Sequence, residues 1–206
     1  MKITALEPQK KSKTRYNLFV DDLFFEGVEE NTVALLNLYT GKEVTEEFLE
    51  EIRRIEIEER LHSRVLALVS RYRKSEKEVE RYILDRGYSA DLARQEILRL
   101  RDYGFVDDPG LVKDYLRYNE KESLRALRFK LIRKGIPGEL FDRIASEFSL
   151  GEREERALER AAIKKYRSVK GKQEWRAALF RFLMGKGFDA GRINALLDRM
   201  EKERKA

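Results

Sequence analysis

Residues Ser75–Leu100 read SEKEVERYILDRGYSADLARQEILRL, and the pattern of this stretch returns twice further along the chain. Its landmark is Arg86-Gly87-Tyr88, where a basic residue, a glycine and an apolar residue separate two helical patterns. The landmark recurs as Lys134-Gly135-Ile136 and Lys186-Gly187-Phe188, so the glycines are 48 and 52 residues apart. A helix-glycine-helix unit that recurs at this period is typical of a tandem array, in which each unit buries its apolar face against its neighbours.

Helix-capping residues divide the array into units of three helices. Ser75 begins a capping box that Glu78 completes, and a glycine in the left-handed conformation ends the helix at Gly87. Asp107 followed by Pro109 predicts the first helix of a second unit. The helices predicted for the second and third units are Pro109–Tyr118, Ser123–Lys134, Pro137–Phe148, one beginning near Leu150, Gln173–Lys186 and Asp189–Glu203. The sequence therefore predicts three-helix repeats over residues 60–107, 108–149 and 150–206.

The first 59 residues differ in pattern from the repeats. Residues 1–14 are rich in lysine and predict a basic, mobile tail. Two aromatic and β-branched runs, Arg15–Val20 and Leu23–Val28, flank two turn-forming aspartates and predict a β-hairpin. Thr45 is then a good N-cap for a long helix that leads out of an acidic segment into the first repeat.

The composition narrows the class of protein. There is no cysteine, which excludes disulfides and thiolate metal sites and suits a reducing cytoplasm. No apolar run approaches the roughly 20 residues that cross a bilayer. The N-terminal residues lack the apolar region of a signal peptide. We therefore expect a cytoplasmic protein with no membrane association.

Charge is distributed unevenly along the chain. Residues 21–59 carry 13 acidic and 3 basic side chains, whereas residues 60–206 carry 36 basic and 24 acidic ones. This asymmetry indicates that the C-terminal part binds a polyanion or an acidic protein surface. A heat-resistant helical surface laced with ion pairs is the alternative interpretation of the same composition.

The first helix of the third repeat carries the clearest basic pattern. Five cations spaced by 3, 4, 4 and 3 residues share a helical face about 80° wide, and they are Arg153, Arg156, Arg160, Lys164 and Arg167. A solvated face usually interleaves acids with its cations, so this pattern favours a binding surface. Smaller basic clusters in the repeats add further candidate binding residues, namely Arg71, Arg73, Lys74, Arg125, Arg128, Arg133, Lys134, Lys170, Lys172 and Arg176.

The sequence offers little that resembles an active site. It contains no phosphate-binding glycine loop, no dinucleotide-binding fingerprint and no metalloprotease motif. The single histidine, His62, has no second histidine or cysteine with which to share a metal, and we expect it to face solvent. Asp107 and Asp108 are explained as helix-capping residues. We therefore predict a protein that is not an enzyme and that holds no metal or cofactor.

Several short motifs, taken in order, resemble those of the RecX family of bacterial regulatory proteins. They are Val69–Val79 (VSRYRKSEKEV), Asp85–Tyr88 (DRGY), Tyr103–Asp108 (YGFVDD), Leu131–Ile136 (LIRKGI) and Leu183–Phe188 (LMGKGF). Together they span about residues 60–200. The predicted hairpin resembles the N-terminal extension of the longer family members.

The resemblance implies an all-α protein of three tandem three-helix, helix-turn-helix-like repeats in an elongated, curved array, preceded by the hairpin. It also implies binding to the RecA filament on single-stranded DNA and inhibition of strand exchange, ATP hydrolysis and coprotease activity. A curved array predicts a monomer. Two alternatives remain open: a helix-turn-helix-like module that binds single- or double-stranded DNA directly, and a helical scaffold that binds its partner through residues 1–59.

Overall fold

The computed structural model describes residues 1–148, 150–171 and 173–205, and in that part the chain forms three strands and ten helices. The strands are β1 (Ile3–Pro8), β2 (Arg15–Val20) and β3 (Leu23–Glu29). The helices are α1 (Glu30–Leu35), α2 (Glu46–Val69), α3 (Glu76–Leu84), α4 (Ala90–Asp102), α5 (Asp108–Tyr118), α6 (Leu124–Arg133), α7 (Gly138–Ser146), α8 (Gly151–Tyr166), α9 (Trp175–Gly185) and α10 (Ala190–Lys205). The predicted class, mainly helical with a small N-terminal β element, is confirmed.

The chain divides into two compact units. The first contains Met1–Tyr72 and Tyr82–Phe105, and the second contains Arg73–Arg81 and the chain from Val106 onward. Each unit has its own buried core. The boundaries that the sequence predicts for the three repeats stay a prediction.

The predicted hairpin is present as β2 and β3, which form the centre and one edge of an antiparallel sheet. Asp21 and Asp22 join them with φ angles of 48° and 65°, the left-handed conformation that suits a tight hairpin turn. The prediction that residues 1–14 are a mobile tail is wrong, because β1 pairs with β2 and places Ile3 opposite Val20. Ile3 is fully buried, and a third strand gives the hairpin the support that two strands lack.

Helix α2 supports this sheet. Its N-cap is Thr45, as predicted, whose hydroxyl accepts a hydrogen bond from the Phe48 backbone N–H at 3.3 Å. The buried residues Leu49 and Ile52 of α2 belong to the same apolar cluster as Ile3 and other sheet residues. The N-terminal strands and the start of α2 therefore form one packed body.

A buried carboxylate ties the sheet to the helices of the first unit. Glu56 on α2 is only 2% exposed, and its oxygens accept hydrogen bonds from the Glu29 backbone N–H at 2.7 Å and from the Thr32 hydroxyl at 2.9 Å. The guanidinium groups of Arg15 and Arg60 each lie 3.2 Å from its Oε1. The charge is therefore paired and its lone pairs are used, which is the condition for burying a carboxylate.

His62 does not face solvent, so that prediction is wrong. The side chain is buried between α2 and α4, and its Nδ1 lies 2.9 Å from Oε1 of Glu96. Burial raises the pKa of Glu96 above its ordinary value, and the hydrogen bond to His62 partly offsets that rise. A second cross-link between the two helices joins Arg99 Nη1 to Glu59 Oε1 at 3.0 Å. The histidine therefore connects two helices.

Within the second unit the same hydrogen-bonded junction occurs twice. The hydroxyl of Ser75, before α3, donates to the backbone carbonyl of Lys134, and the hydroxyl of Ser123, before α6, donates to that of Lys186 at 2.6 Å. Both acceptors immediately precede a glycine of the recurring landmark. The start of α3 is thus joined to the end of α6, and the start of α6 is joined to the end of α9.

An acid completes each junction, from α5 in the first and from α8 in the second. Asp108 Oδ1 accepts a hydrogen bond from the Glu76 backbone N–H at 3.0 Å, and Glu154 Oε2 accepts one from the Leu124 N–H at 3.0 Å. These amides belong to the first turns of α3 and α6, where the helix itself supplies no acceptor. A carboxylate there also interacts favourably with the positive end of the helix dipole. The sequence repeat thus corresponds to a repeated set of contacts.

The landmark glycines have the left-handed conformation that the sequence predicts. Gly87, Gly135 and Gly187 have φ angles of 80°, 89° and 85°. The spaces around Gly87 and Gly135 differ: a Cβ at Gly87 would meet nothing within 4 Å, whereas one at Gly135 would overlap Cβ and Cγ of Lys77. Conformation alone therefore requires glycine at the first position, while conformation and close packing both require it at the second.

We expect Gly135→Ala to destabilise the protein more than Gly87→Ala. The left-handed conformation costs an alanine about 1–2 kcal/mol, and overpacking against α3 adds a further ~1–3 kcal/mol at residue 135 only. Urea unfolding followed by circular dichroism measures both variants. Equal losses of stability would show that the contact with Lys77 relaxes without cost.

Candidate binding surface

Helix α8 exposes three of the five cations in the predicted basic face, and a fourth, Arg167, follows it directly. Two of the four are partly neutralised: Arg156 lies 3.3 Å from Glu152, and Arg160 lies 3.0 Å from Glu120 on the α5–α6 connection. Lys164 and Arg167 are exposed and form no ion pair with any carboxylate that the structure describes. The C-terminal half of the face is therefore the part with unpaired charge.

Arg153, the fifth residue of the predicted face, does not reach the surface. It is 6% exposed, and its guanidinium donates to the backbone carbonyls of Leu116 at 3.0 Å, Asn119 at 2.6 Å and Glu122 at 3.2 Å. These carbonyls belong to the end of α5 and the loop after it, where acceptors lack helical partners. Burial lowers the pKa of Arg153, and the nearby carboxylate of Glu154 opposes that change. Arg153 thus anchors α8, and we correct its assignment as a binding residue.

Five more of the predicted binding residues take part in ion pairs within the second unit. The pairs are Arg73–Asp114, Lys74–Glu78 at 3.9 Å, Arg128–Asp142 at 2.8 and 2.9 Å, Lys134–Glu78 at 2.8 Å, and Arg176 with Asp198 at 2.5 Å and Glu201 at 3.1 Å. Each cation is paired with a carboxylate, although Lys74 and Lys134 share that of Glu78. These residues are weaker candidates for binding an anion than the unpaired cations are.

The remaining predicted residues are open to solvent where the structure describes them. Arg71 in the first unit, and Arg125, Arg133 and Lys170 in the second, are exposed and have no ion pair to a described carboxylate. Lys172 lies outside the described residues. Six of the predicted binding residues are therefore exposed and unpaired where the structure describes them: Arg71, Arg125, Arg133, Lys164, Arg167 and Lys170.

A cleft lined by α6, α8 and α9 gathers basic residues that the sequence analysis did not single out. Its volume is about 920 Å³, and we call it the basic cleft. Its cations are Lys121, Lys130, Arg160, Lys164, Lys165 and Lys186, and its apolar lining is Ala126, Ala161, Phe182 and Phe188. Only Arg160 and Lys164 belonged to the predicted face. Lys121, Lys130 and Lys186 come from other segments, and Lys165 lies on α8 outside the spaced set, so spacing along one helix gave no signal for them.

No membrane-spanning helix occurs in the part of the chain that the structure describes, because none is both long and apolar enough. The same residues contain no group of three or more histidine, cysteine, aspartate or glutamate side chains that would hold a metal ion.

The fold and the surface define a helical-repeat protein with basic outer residues. Comparison with known proteins shows what the chain is similar to. The family model for the regulatory protein RecX N-terminal domain matches residues 1–45. The protein named Regulatory protein RecX from Clostridium acetobutylicum is 27% identical over 209 residues, covering 98% of this chain and 97% of its own length. The protein of that name from Listeria welshimeri is 29% identical, covering 92% and 72%.

Solved structures agree in fold. A crystal structure of regulatory protein RecX matches with a TM-score of 0.73 at 22% identity, covering 96% of this chain and 98% of its own. The crystal structure of RecX from Lactobacillus salivarius matches with a TM-score of 0.62 at 16% identity, covering 70% and 96%. The resemblance to the RecX family that the sequence motifs indicated is confirmed: this chain is similar in sequence to proteins named Regulatory protein RecX and in fold to RecX crystal structures.

Proposed function

We propose that this chain binds the RecA filament on single-stranded DNA and thereby inhibits strand exchange, ATP hydrolysis and coprotease activity. The family and the motif resemblance support the proposal. The observation that carries it is the pair Lys164 and Arg167, two exposed cations without ion-pair partners among the described residues. A filament presents carboxylates and phosphates, both of which such cations bind.

The rigidity of α8 supports this role. Arg153 fixes the start of the helix through three backbone carbonyls, while Ala157, Leu158 and Ala162 bury its inner face. Exposed cations on a fixed helix lose less conformational freedom on binding than cations on a loop. The proposed mode of action is binding and restraint, so it requires no cofactor and no catalytic residue.

The test is RecA ATP hydrolysis on single-stranded DNA, titrated with this protein in amounts well below one copy per RecA. We expect the wild type to inhibit, and R160E/K164E/R167E to need at least about 10-fold more protein, a loss of about 1.4 kcal/mol in binding. Arg153 is left unchanged because it is buried. The matched control is K11E/K13E/K202E, which makes the same charge change at exposed lysines outside the face.

Two results contradict the proposal. One is that R160E/K164E/R167E inhibits RecA ATP hydrolysis as strongly as the wild type does. The other is that the control variant loses as much inhibition as R160E/K164E/R167E, which would make net charge the cause. Both variants change exposed residues, so their melting temperatures should stay near that of the wild type.

Direct DNA binding is the second candidate function. Tyr118 at the end of α5 is 79% exposed and follows Arg117, a pairing that suits a stacked base beside a phosphate. This alternative predicts inhibition only when the protein saturates the DNA. It also predicts that affinity falls steeply with salt, with a log–log slope of about −0.7 for each contact to a single strand.

A further inference from the structure

We propose that the basic cleft binds an acidic peptide segment of a partner protein, with one apolar side chain of that segment against the cleft floor. This inference deepens the proposed function and rests on it, because it names a protein segment as the feature that the surface beside α8 recognises.

The positive charge of the cleft favours an anionic ligand. Two of its six cations are balanced, since Lys130 lies 2.6 Å from Glu122 and Arg160 lies 3.0 Å from Glu120. The other four, Lys121, Lys164, Lys165 and Lys186, form no ion pair with a carboxylate in the described ranges. Glu122, which also lines the cleft, is paired with Lys130, so the unpaired charges of the cleft are positive, and charges of one sign in a cleft with apolar lining concentrate the field inside it.

Two of these ammonium groups lie near the same aromatic ring and pair with no described carboxylate. Lys165 Nζ and Lys186 Nζ lie 5.5 and 5.7 Å from the centre of the Phe182 ring. A ring holds an ammonium group less strongly than a carboxylate does in a partly desolvated site. A carboxylate that enters the cleft therefore gains two cations that have no competing acid.

The floor suits a peptide better than a nucleic acid strand. Strands without sequence preference are bound through bases stacked on free aromatic faces. Phe182, the partly exposed ring in the cleft, is already covered by two ammonium groups, and Phe188 is buried. What remains open is bordered by Ala126 and Ala161, small side chains that leave room for an apolar group. A peptide in which acidic residues flank an apolar residue therefore complements the cleft, where cations surround an apolar surface.

The test uses fluorescence anisotropy of the full chain with two labelled synthetic peptides. One has glutamates on both sides of a central phenylalanine, and the other has glycine in place of that phenylalanine. We expect the wild type to bind the phenylalanine peptide at least about 10-fold more tightly than the glycine peptide. We expect K164E/K186E to lose at least about 10-fold in affinity, while K11E/K202E, with the same charge change outside the cleft, keeps it.

Three results would overturn the inference. They are equal affinity for the two peptides, equal affinity of K164E/K186E and K11E/K202E, and tighter binding of an oligothymidylate that K164E/K186E abolishes. The last result would make the cleft a nucleic acid site. The assay contains no RecA, so a failure here with normal inhibition of RecA removes only this inference. Peptide binding without inhibition would instead remove the proposed function.

Discussion

Glu56→Ala is expected to lower the free energy of unfolding by about 2–5 kcal/mol, because it leaves a buried N–H and a buried hydroxyl without an acceptor and removes one carboxylate from each of two partly buried arginines. Arg15 and Arg60 lose the carboxylate that lies 3.2 Å from each, and the Glu29 N–H and the Thr32 hydroxyl lose their acceptor. Thermal and urea unfolding measure the change. Because these partners come from the sheet, α1 and α2, the loss should affect the whole N-terminal body.

Glu50→Ala is the matched control on the same helix. Glu50 is exposed and pairs only with the nearby, exposed Arg53 among the described residues, so its replacement should change stability by no more than about 0.5 kcal/mol. If Glu56→Ala were as well tolerated as Glu50→Ala, the buried ion pairs would contribute nothing to the fold.

Arg153→Ala is expected to cost about 2–4 kcal/mol of stability, although the sequence places it among exposed cations. The substitution removes the donor for three backbone carbonyls and leaves Glu154, 3.6 Å away, buried without its cation. Urea unfolding measures the loss. Arg156→Ala, on the exposed side of α8, is the control and should be nearly neutral.

The effect of Arg153→Ala should depend on pH. Burial raises the pKa of Glu154, and Arg153 opposes that rise, so removing the arginine raises this pKa further. A carboxyl with a raised pKa binds its proton more tightly in the folded state, and stability falls as pH rises from its ordinary value of 4.5 through the folded-state value. The variant should therefore lose more stability at neutral pH than in acid. If the loss of stability did not change with pH, the whole effect would come from the three backbone carbonyls that lose their donor.

Local features of the fold could be predicted from the sequence. Ser75, Thr45 and Asp107 each accept hydrogen bonds from amides within the next few residues, so the identity of the residue is enough to place a helix start. The left-handed conformation of the landmark glycines could be predicted for the same reason, because φ is a property of one residue. The hairpin follows from its turn and its two β-forming runs.

Features that depend on distant partners could not be predicted. Arg153 has the spacing of a surface stripe, but spacing says only which residues share a face and not what covers it. The loop that covers it lies more than 30 residues earlier. His62 meets a glutamate 34 residues away, and Ile3 pairs across the sheet with Val20. The basic cleft likewise assembles from three helices.

The duplicated junction gives the starts of α3 and α6 equivalent hydrogen-bond partners. Ser75 and Ser123 each donate to a lysine carbonyl that precedes a glycine, and the backbone N–H of the residue after each serine donates to a carboxylate of α5 or α8. A tandem copy of residues 108–149 would therefore bring with it the carbonyl and the carboxylate that the start of α6 requires, and would offer its own serine to the next unit. Where each repeat contacts only its neighbours, an array can gain a unit without a new kind of interface.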